Sequence, residues 1–336
     1  NLEKSRIMEV EFTGVKPLAP IVVVGTPDVS LAGVRLLLAA SKPHSRIEWP
    51  VHFRKSTVDE KLSNKTSIEA PVYPPSVVFE DGGADDGSSP AKVVQLNFGD
   101  NKNNPALTFL AVNVVIPPKK STSLANSFLT ILRNDKKVKS LILLNPLRVD
   151  PTLPHKSRIP EGNVQCAVWN KYKEPKGINI VDTHIRNFDP FLCALAHFSL
   201  VLEIPTLSIN TRGYRYQPVS AVGSNKNPKY DGTEDVALNL WKALKEILSE
   251  SLQSINKAGN LKEEEIIDAA TPDIKKFRSL KISKKSIALS QPILGKFFSF
   301  YFIIHQNDAC LILSLGTYSA IGDGEKVVDN RNVLYA

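Results

Sequence analysis

The chain has 336 residues, 42% of them hydrophobic and 23% charged, the balance of a soluble globular protein with a sizeable core in one large domain or two ordinary ones. Its 42 Lys and Arg against 34 Asp and Glu leave a net charge of +8, but the basic residues come in scattered pairs such as Lys119-Lys120, Lys136-Lys137, Lys275-Lys276 and Lys284-Lys285. Without interleaved aromatics, such pairs describe a solvated basic surface, or one facing an acidic protein partner, better than a nucleic-acid site. Three widely spaced cysteines, Cys166, Cys193 and Cys310, argue against a disulfide framework or a zinc site and fit a reducing compartment.

In chain order, the single methionine, Met8, reads as a start with Asn1–Ile7 upstream of it, and no signal-peptide pattern follows. Ile21–Val24 is an apolar β-branched run expected to form a strand buried on both faces. Gly25-Thr26-Pro27-Asp28 turns the chain, Ser30 can cap, and Leu31, Val34, Leu37 and Leu38 share one face of a helix. Ile47–Phe53 reads as a second strand, and Pro71–Pro90, rich in proline, glycine and acids, as an exposed, disordered loop insertion. Asp81, Asp85 and Asp86 in that loop lack calcium-loop spacing, so no metal site is expected.

Lys92–Phe98 and Leu107–Ile116 predict a hairpin through Gly99-Asp100-Asn101. A helix over Leu124–Leu132, capped by Ser121 or Ser123, leads to a buried strand, Val138–Leu144, that Asn145-Pro146 should end. Val149–Gly177 reads mostly as loop, pinned to the body by Trp169 and Tyr172. Asp189-Pro190 opens a helix through Leu202, Ile204-Pro205 restarts the chain, and Thr206–Asn210 is a strand followed by the loop Arg212-Gly213-Tyr214-Arg215-Tyr216. Asp231 and Glu234 have capping-box spacing ahead of a helix whose stripe runs from Ala237 to Leu252 and should close the sheet's open face. Lys262–Lys285 reads as a charged linker or solvated helix. Alternating strands and helices make the fold class α/β: a mixed, largely parallel sheet with helices on both faces, a sandwich like that of nucleoside phosphorylases.

Neither half of the apolar stretch interrupted by His305-Gln306-Asn307-Asp308 reaches the roughly 20 residues of a membrane span. Chemistry-bearing motifs are sparse. Gly25 and Gly33 do not make a dinucleotide fingerprint, and no phosphate-binding loop, nucleophile elbow, zinc helix or paired-carboxylate signature occurs. His184 lies near Asp182 and Asp189, and Cys193 and His197 share a helical face, but an apolar helix is the wrong setting for a reactive thiolate. No catalytic residue, cofactor or metal ligand is assigned. The alternative to an interaction protein is an α/β hydrolase or nucleoside-phosphorylase-like enzyme with a pocket near Gly25 and Arg212, at the carboxyl ends of the strands.

The last residues, Asn332-Val333-Leu334-Tyr335-Ala336, combine a hydrophobe, a tyrosine and a terminal carboxylate. Together they form a docking plug: the carboxylate pairs with a buried cation, the ring fills an apolar slot, and the hydrophobe anchors the turn. This resembles the HbYX tails of the proteasome assembly chaperone family. Pro20–Gly33 resembles that family's early strand–turn–helix, and Phe188–Asn210 its late helix–strand crossover. The resemblance implies a non-catalytic α/β domain over 8–256, with 71–90 inserted, then a linker and apolar segment over 257–330 and a docking tail over 331–336. It further implies a cytoplasmic protein, with the nucleus as a second location, that heterodimerises with proteasome assembly chaperone 2. The pair would promote assembly of the 20S proteasome α ring, with Leu334, Tyr335 and Ala336 contacting α subunits and with no nucleic acid or membrane involved. Gly295–Ala320 departs from the family pattern; it reads either as extra sequence, such as translated intron, or as genuine strands at a sheet edge or interface.

Overall fold

The computed structural model describes residues 10–26, 32–53, 77–79, 92–99, 104–114, 116, 120–148, 163–178, 190–213, 233–256, 262–282, 297–299 and 316–318. The strands are β1 (Val10–Phe12), β2 (Ile21–Gly25), β3 (Ser45–Phe53), β4 (Val77–Phe79), β5 (Lys92–Phe98), β6 (Leu107–Asn113), β7 (Ser140–Arg148), β8 (Val164–Trp169), β9 (Thr206–Gly213), β10 (Leu280–Ile282), β11 (Phe297–Ser299) and β12 (Gly316–Tyr318). The helices are α1 (Ala32–Leu38), α2 (Ser121–Asn134), α3 (Pro190–Val201), α4 (Thr233–Ile255), α5 (Glu263–Ala270) and α6 (Ile274–Ser279).

Eight strands form one mixed sheet in the order β1-β3-β5-β6-β2-β7-β9-β8. Its centre, β6-β2-β7-β9, is parallel, and antiparallel strands flank it on both sides. The β5–β6 hairpin pairs Lys92 with Asn113 and Phe98 with Leu107, as the sequence predicts.

The side-chain period of two sends alternate residues of β2 to opposite faces. Ile21 and Val23 join one core cluster with α1, α4, α5 and α6, whereas Val22 and Val24 join a second with α2 and α3. Both faces of the central strand are therefore dry, which is why an uninterrupted β-branched run is stable there. On α4, Val236, Leu240, Leu244, Leu248 and Leu252 form the buried stripe that covers the first face.

Three stretches differ from expectation. Val164–Trp169, expected in a loop, is the edge strand β8, antiparallel to β9 from Val164↔Thr211 to Trp169↔Thr206. Two of its six residues, Cys166 and Trp169, are buried and the other four half-buried, without a two-residue period. Asn145-Pro146 does not end β7, which continues to Arg148. β2 pairs with β7 only as far as Leu144, so Pro146 sits where β9 is the remaining neighbour and a missing N–H is tolerated.

The third difference is the charged stretch after Asn256, which packs on the body: Ile266, Ile267, Ala270, Phe277 and Leu280 are all buried in the first core. The expected linker thus contains two docked helices, extending the packed body to Ile282. Val77–Phe79, inside the expected loop insertion, pairs with Leu280–Ile282 as a two-stranded sheet. The rest of the acidic loop, the caps at Ser30 and Asp231, and the connection at Asp100-Asn101 lie outside the described residues. Within Gly295–Ala320, Phe297–Ser299 pairs antiparallel with Gly316–Tyr318, apart from the eight-stranded sheet.

The docked segment is held by specific contacts. Arg35, only 6% exposed on α1, stacks its guanidinium 4.3 Å from the centre of the Phe277 ring and donates from Nη2 to the Phe277 carbonyl at 3.3 Å. Lys276 Nζ donates to the Ala40 carbonyl at 2.9 Å, and Asp273 caps α6 by accepting from the Lys275 and Lys276 backbone N–H groups. Arg278 forks onto both oxygens of Glu234 on α4 at 2.8 Å. Hydrogen bonding from Arg278 holds the Glu234 carboxyl below its ordinary range, outweighing burial.

A depressed carboxyl contributes stability above its unfolded pKa and loses it as pH falls through the lower folded value. The melting temperature of Glu234→Gln should therefore lie below that of the natural chain at about pH 7, with the gap closing toward about pH 3. A gap that does not change over that range, measured by thermal denaturation, would show that the pair contributes nothing.

Candidate functional site

The carboxyl ends of the parallel strands are where an open α/β sheet ordinarily places a ligand. Here β2 ends at Gly25, in register with Leu144 of β7. A Cβ on Gly25 would lie 2.7 Å from both the carbon and the oxygen of the Gly33 carbonyl, and one on Gly33 would lie 3.3 Å from the Leu144 oxygen. These glycines let the backbone of α1 rest directly on the strands. The space beside Gly25 that a phosphate cradle would require holds helix backbone instead.

Beyond Gly25 the edge is polar and buried. Thr26 is 1% exposed and its hydroxyl has no hydrogen-bond partner among the described residues. Asn145 pairs in register with Asn210, and its Nδ2 donates to Ser208 Oγ at 2.7 Å and to Asn210 Oδ1 at 3.4 Å. Ser208 Oγ donates to Asn210 Oδ1 at 2.8 Å, while Asn145 Oδ1 accepts no hydrogen bond among the described residues. These amides and hydroxyls do not titrate near neutral pH, so they can orient a polar group but supply no general acid or base.

Arg212 is in β9, in register with Leu147, three residues beyond the Leu144 that faces Gly25. β7 intervenes, so Gly25 and Arg212 are separated by about 10 Å across the sheet and about 10 Å along it. The two halves of the enzyme-type pocket expected from the sequence are not brought together. Tyr214, Arg215 and Tyr216 lie outside the described residues.

The cysteines sit in apolar surroundings. Cys166 is fully buried on β8, and desolvation pushes its thiol up to about 12. Cys193 is 4% exposed on α3 between Leu192 and Ala194, and His197 one turn on sets its ring against Phe198 at 5.4 Å. The thiolate that nucleophilic chemistry needs is disfavoured at Cys166. His184, Asp182, Asp189 and Cys310 are outside the described residues, as are Leu334, Tyr335 and Ala336. Among the described residues, no three His, Cys, Asp or Glu side chains gather to hold a metal. No helix among them is long and apolar enough to cross a membrane.

The opposite, amino end of the parallel strands carries an open groove of about 410 Å³ that the sequence did not reveal. Ile21, Ser140 and Pro205, at the starts of β2, β7 and β9, line it together with Ile247 and Ile255 of α4. Tyr172 enters from the turn after β8, its hydroxyl 3.5 Å from Ser251 Oγ, and burial raises its phenol above the ordinary value. The groove's parts come from β2, β7, β9, α4 and the turn after β8, with no local spacing to betray that they meet.

No protein-family model matches the chain, and no curated protein matches its sequence. Solved structures do resemble it. An archaeal proteasome activator from Pyrococcus furiosus shares 13% identity over 76% of this chain and 100% of its own, with a TM-score of 0.40. An archaeal homolog of proteasome-assembly chaperone from the same organism shares 14% identity over 78% of this chain and 96% of its own, with a TM-score of 0.40. A proteasome-assembly chaperone homologue from Mycobacterium tuberculosis shares 14% identity over 73% of this chain and 93% of its own, with a TM-score of 0.31.

Proposed function

We propose that this chain is a proteasome assembly chaperone acting in the manner of proteasome assembly chaperone 1. It pairs with proteasome assembly chaperone 2 and promotes α-ring assembly of the 20S core particle, without catalysis. The observation that carries this reading is the sequence Leu334-Tyr335-Ala336, which combines a hydrophobic anchor, an aromatic ring with a polar tip and a carboxylate. In this reading those three residues dock between adjacent α subunits. The cytoplasm, with its reducing conditions, is the compartment the reading assigns.

The test is co-purification of proteasome α subunits with the tagged chain and its partner chaperone, using the intact tail, Tyr335→Ala and deletion of Ala336. The intact chain should retain α subunits, and either change should weaken retention about tenfold or more, as loss of a buried aromatic anchor or a paired carboxylate does. Absence of α subunits from the intact complex would overturn the reading. Equal retention by all three chains would remove the tail from it.

A further inference from the structure

We propose that the groove at the amino ends of the parallel strands binds an acidic peptide segment of a protein partner, an apolar residue flanked by aspartates or glutamates. Lys139, on the approach to β7, and Lys171 and Lys173, in the turn after β8, stand around the groove with exposed side chains. None of their ammonium groups has an ion-pair or hydrogen-bond partner among the described residues. The single carboxylate in the lining, Glu250, is already engaged, its oxygens accepting from the Lys176 backbone N–H at 3.2 and 3.4 Å. With three lysines against one glutamate, the groove lining carries a net positive charge.

The backbone keeps this geometry at a cost. Asn170 and Lys171 are consecutive non-glycine residues in the left-handed region, with φ of 56° and 60°. Such conformations persist where surrounding structure over-determines them, and they concentrate at functional sites. Here Asn170 Nδ2 donates to the Ser199 carbonyl at 2.7 Å and the Ile204 carbonyl at 3.0 Å, locking the turn against the end of α3 and the start of β9. The locked turn delivers Lys171 to the rim.

Charge and shape together select the ligand class. The cations stand on two separate turns around a floor of Ile21, Ile247 and Pro205, instead of converging on one point. That layout suits carboxylates spread along a chain with an apolar side chain between them. A compact phosphate would engage one rim position and leave the apolar floor empty. The site is at the far end of the sheet from the carboxyl edge.

The experiment is fluorescence anisotropy of the full chain with a labelled short peptide carrying one leucine between paired glutamates, against the same peptide with glutamines. The acidic peptide should bind saturably, more weakly as salt rises, and the double variant Lys171→Glu with Lys173→Glu should weaken it about tenfold or more. Lys242→Glu, an exposed α4 position outside the groove lining, carries half that charge change and should alter binding less than about twofold. All the substituted side chains are exposed, so unchanged melting temperatures should accompany these results. Equal binding of the glutamine peptide, or equal weakening by Lys242→Glu, would overturn the proposal. Displacement of the acidic peptide by micromolar inorganic phosphate would overturn it in favour of a free-anion site.

Discussion

Replacing Gly25 with valine should lower the urea midpoint of unfolding sharply, with a loss of about 3 kcal/mol or more, because overpacking at an unyielding site exceeds the usual range. The atoms that a Cβ would meet at 2.7 Å are the carbon and oxygen of Gly33, followed by the Val34 nitrogen at 3.0 Å. They are main-chain atoms of α1, not the ends of flexible side chains. Relief requires moving the helix, yet all seven of its residues, Ala32 to Leu38, are buried. Gly25→Ala already makes the contact and should cost about 1–3 kcal/mol, with valine adding the bulk of two more methyl groups. Chemical denaturation followed by tryptophan fluorescence measures both. An alanine variant with an unchanged midpoint would mean that α1 can slide on β2, contrary to the close packing described.

Trp49→Ala should be comparably severe, at about 3–5 kcal/mol for loss of a buried indole. Trp49 is 0% exposed on β3, with Phe12 and Phe128 at centroid distances of 6.3 and 6.4 Å. Its Nε1 donates to Gln95 Oε1 at 2.9 Å, and that amide is the head of a buried chain. Gln95 Nε2 donates to the Pro17 carbonyl and to Asn97 Oδ1, Thr108 Oγ1 donates to the same oxygen, and the Ala19 N–H donates to Thr108 Oγ1.

The network ties the flanking antiparallel strands to the segment entering β2. Trp49→Phe keeps much of the ring volume and removes the donor, leaving Gln95 Oε1 buried without its partner at a cost of about 1–3 kcal/mol. The difference between the two variants separates packing from hydrogen bonding. Equal, small losses in both would place the indole's contribution elsewhere.

These two sites show how unevenly the chain displays its structure. Ile21–Val24 reads as a doubly buried strand because four β-branched residues in succession have no polar face, and the structure puts alternate residues in the two cores. The β5–β6 hairpin and the α4 stripe are legible for the same reason: their periods of two and 3.6 are written locally. β8 is not legible as a strand because Val164–Trp169, with Gln165 its single polar residue, has no alternation of polar and apolar positions, and only Cys166 and Trp169 are buried. The α5–α6 segment escaped notice because its exposed lysines and glutamates outnumber the few apolar residues that dock. Ile266, Ile267 and Phe277 find their neighbours far away in sequence, as Arg35 and Phe277 do across 242 positions.

Local sequence determined the α/β class, the central strand and the long covering helix, because each depends on residues adjacent in the chain. The order of the eight strands, the confinement of parallel pairing to β6-β2-β7-β9 and the clamp of α6 on α1 were decided by tertiary structure. So was the groove, where lysines from two turns, isoleucines from β2 and α4 and a tyrosine after β8 meet. Such sites depend on distances through space between residues far apart in sequence. The pattern along the chain records which residues are buried and with what period, but not which distant residue each will touch.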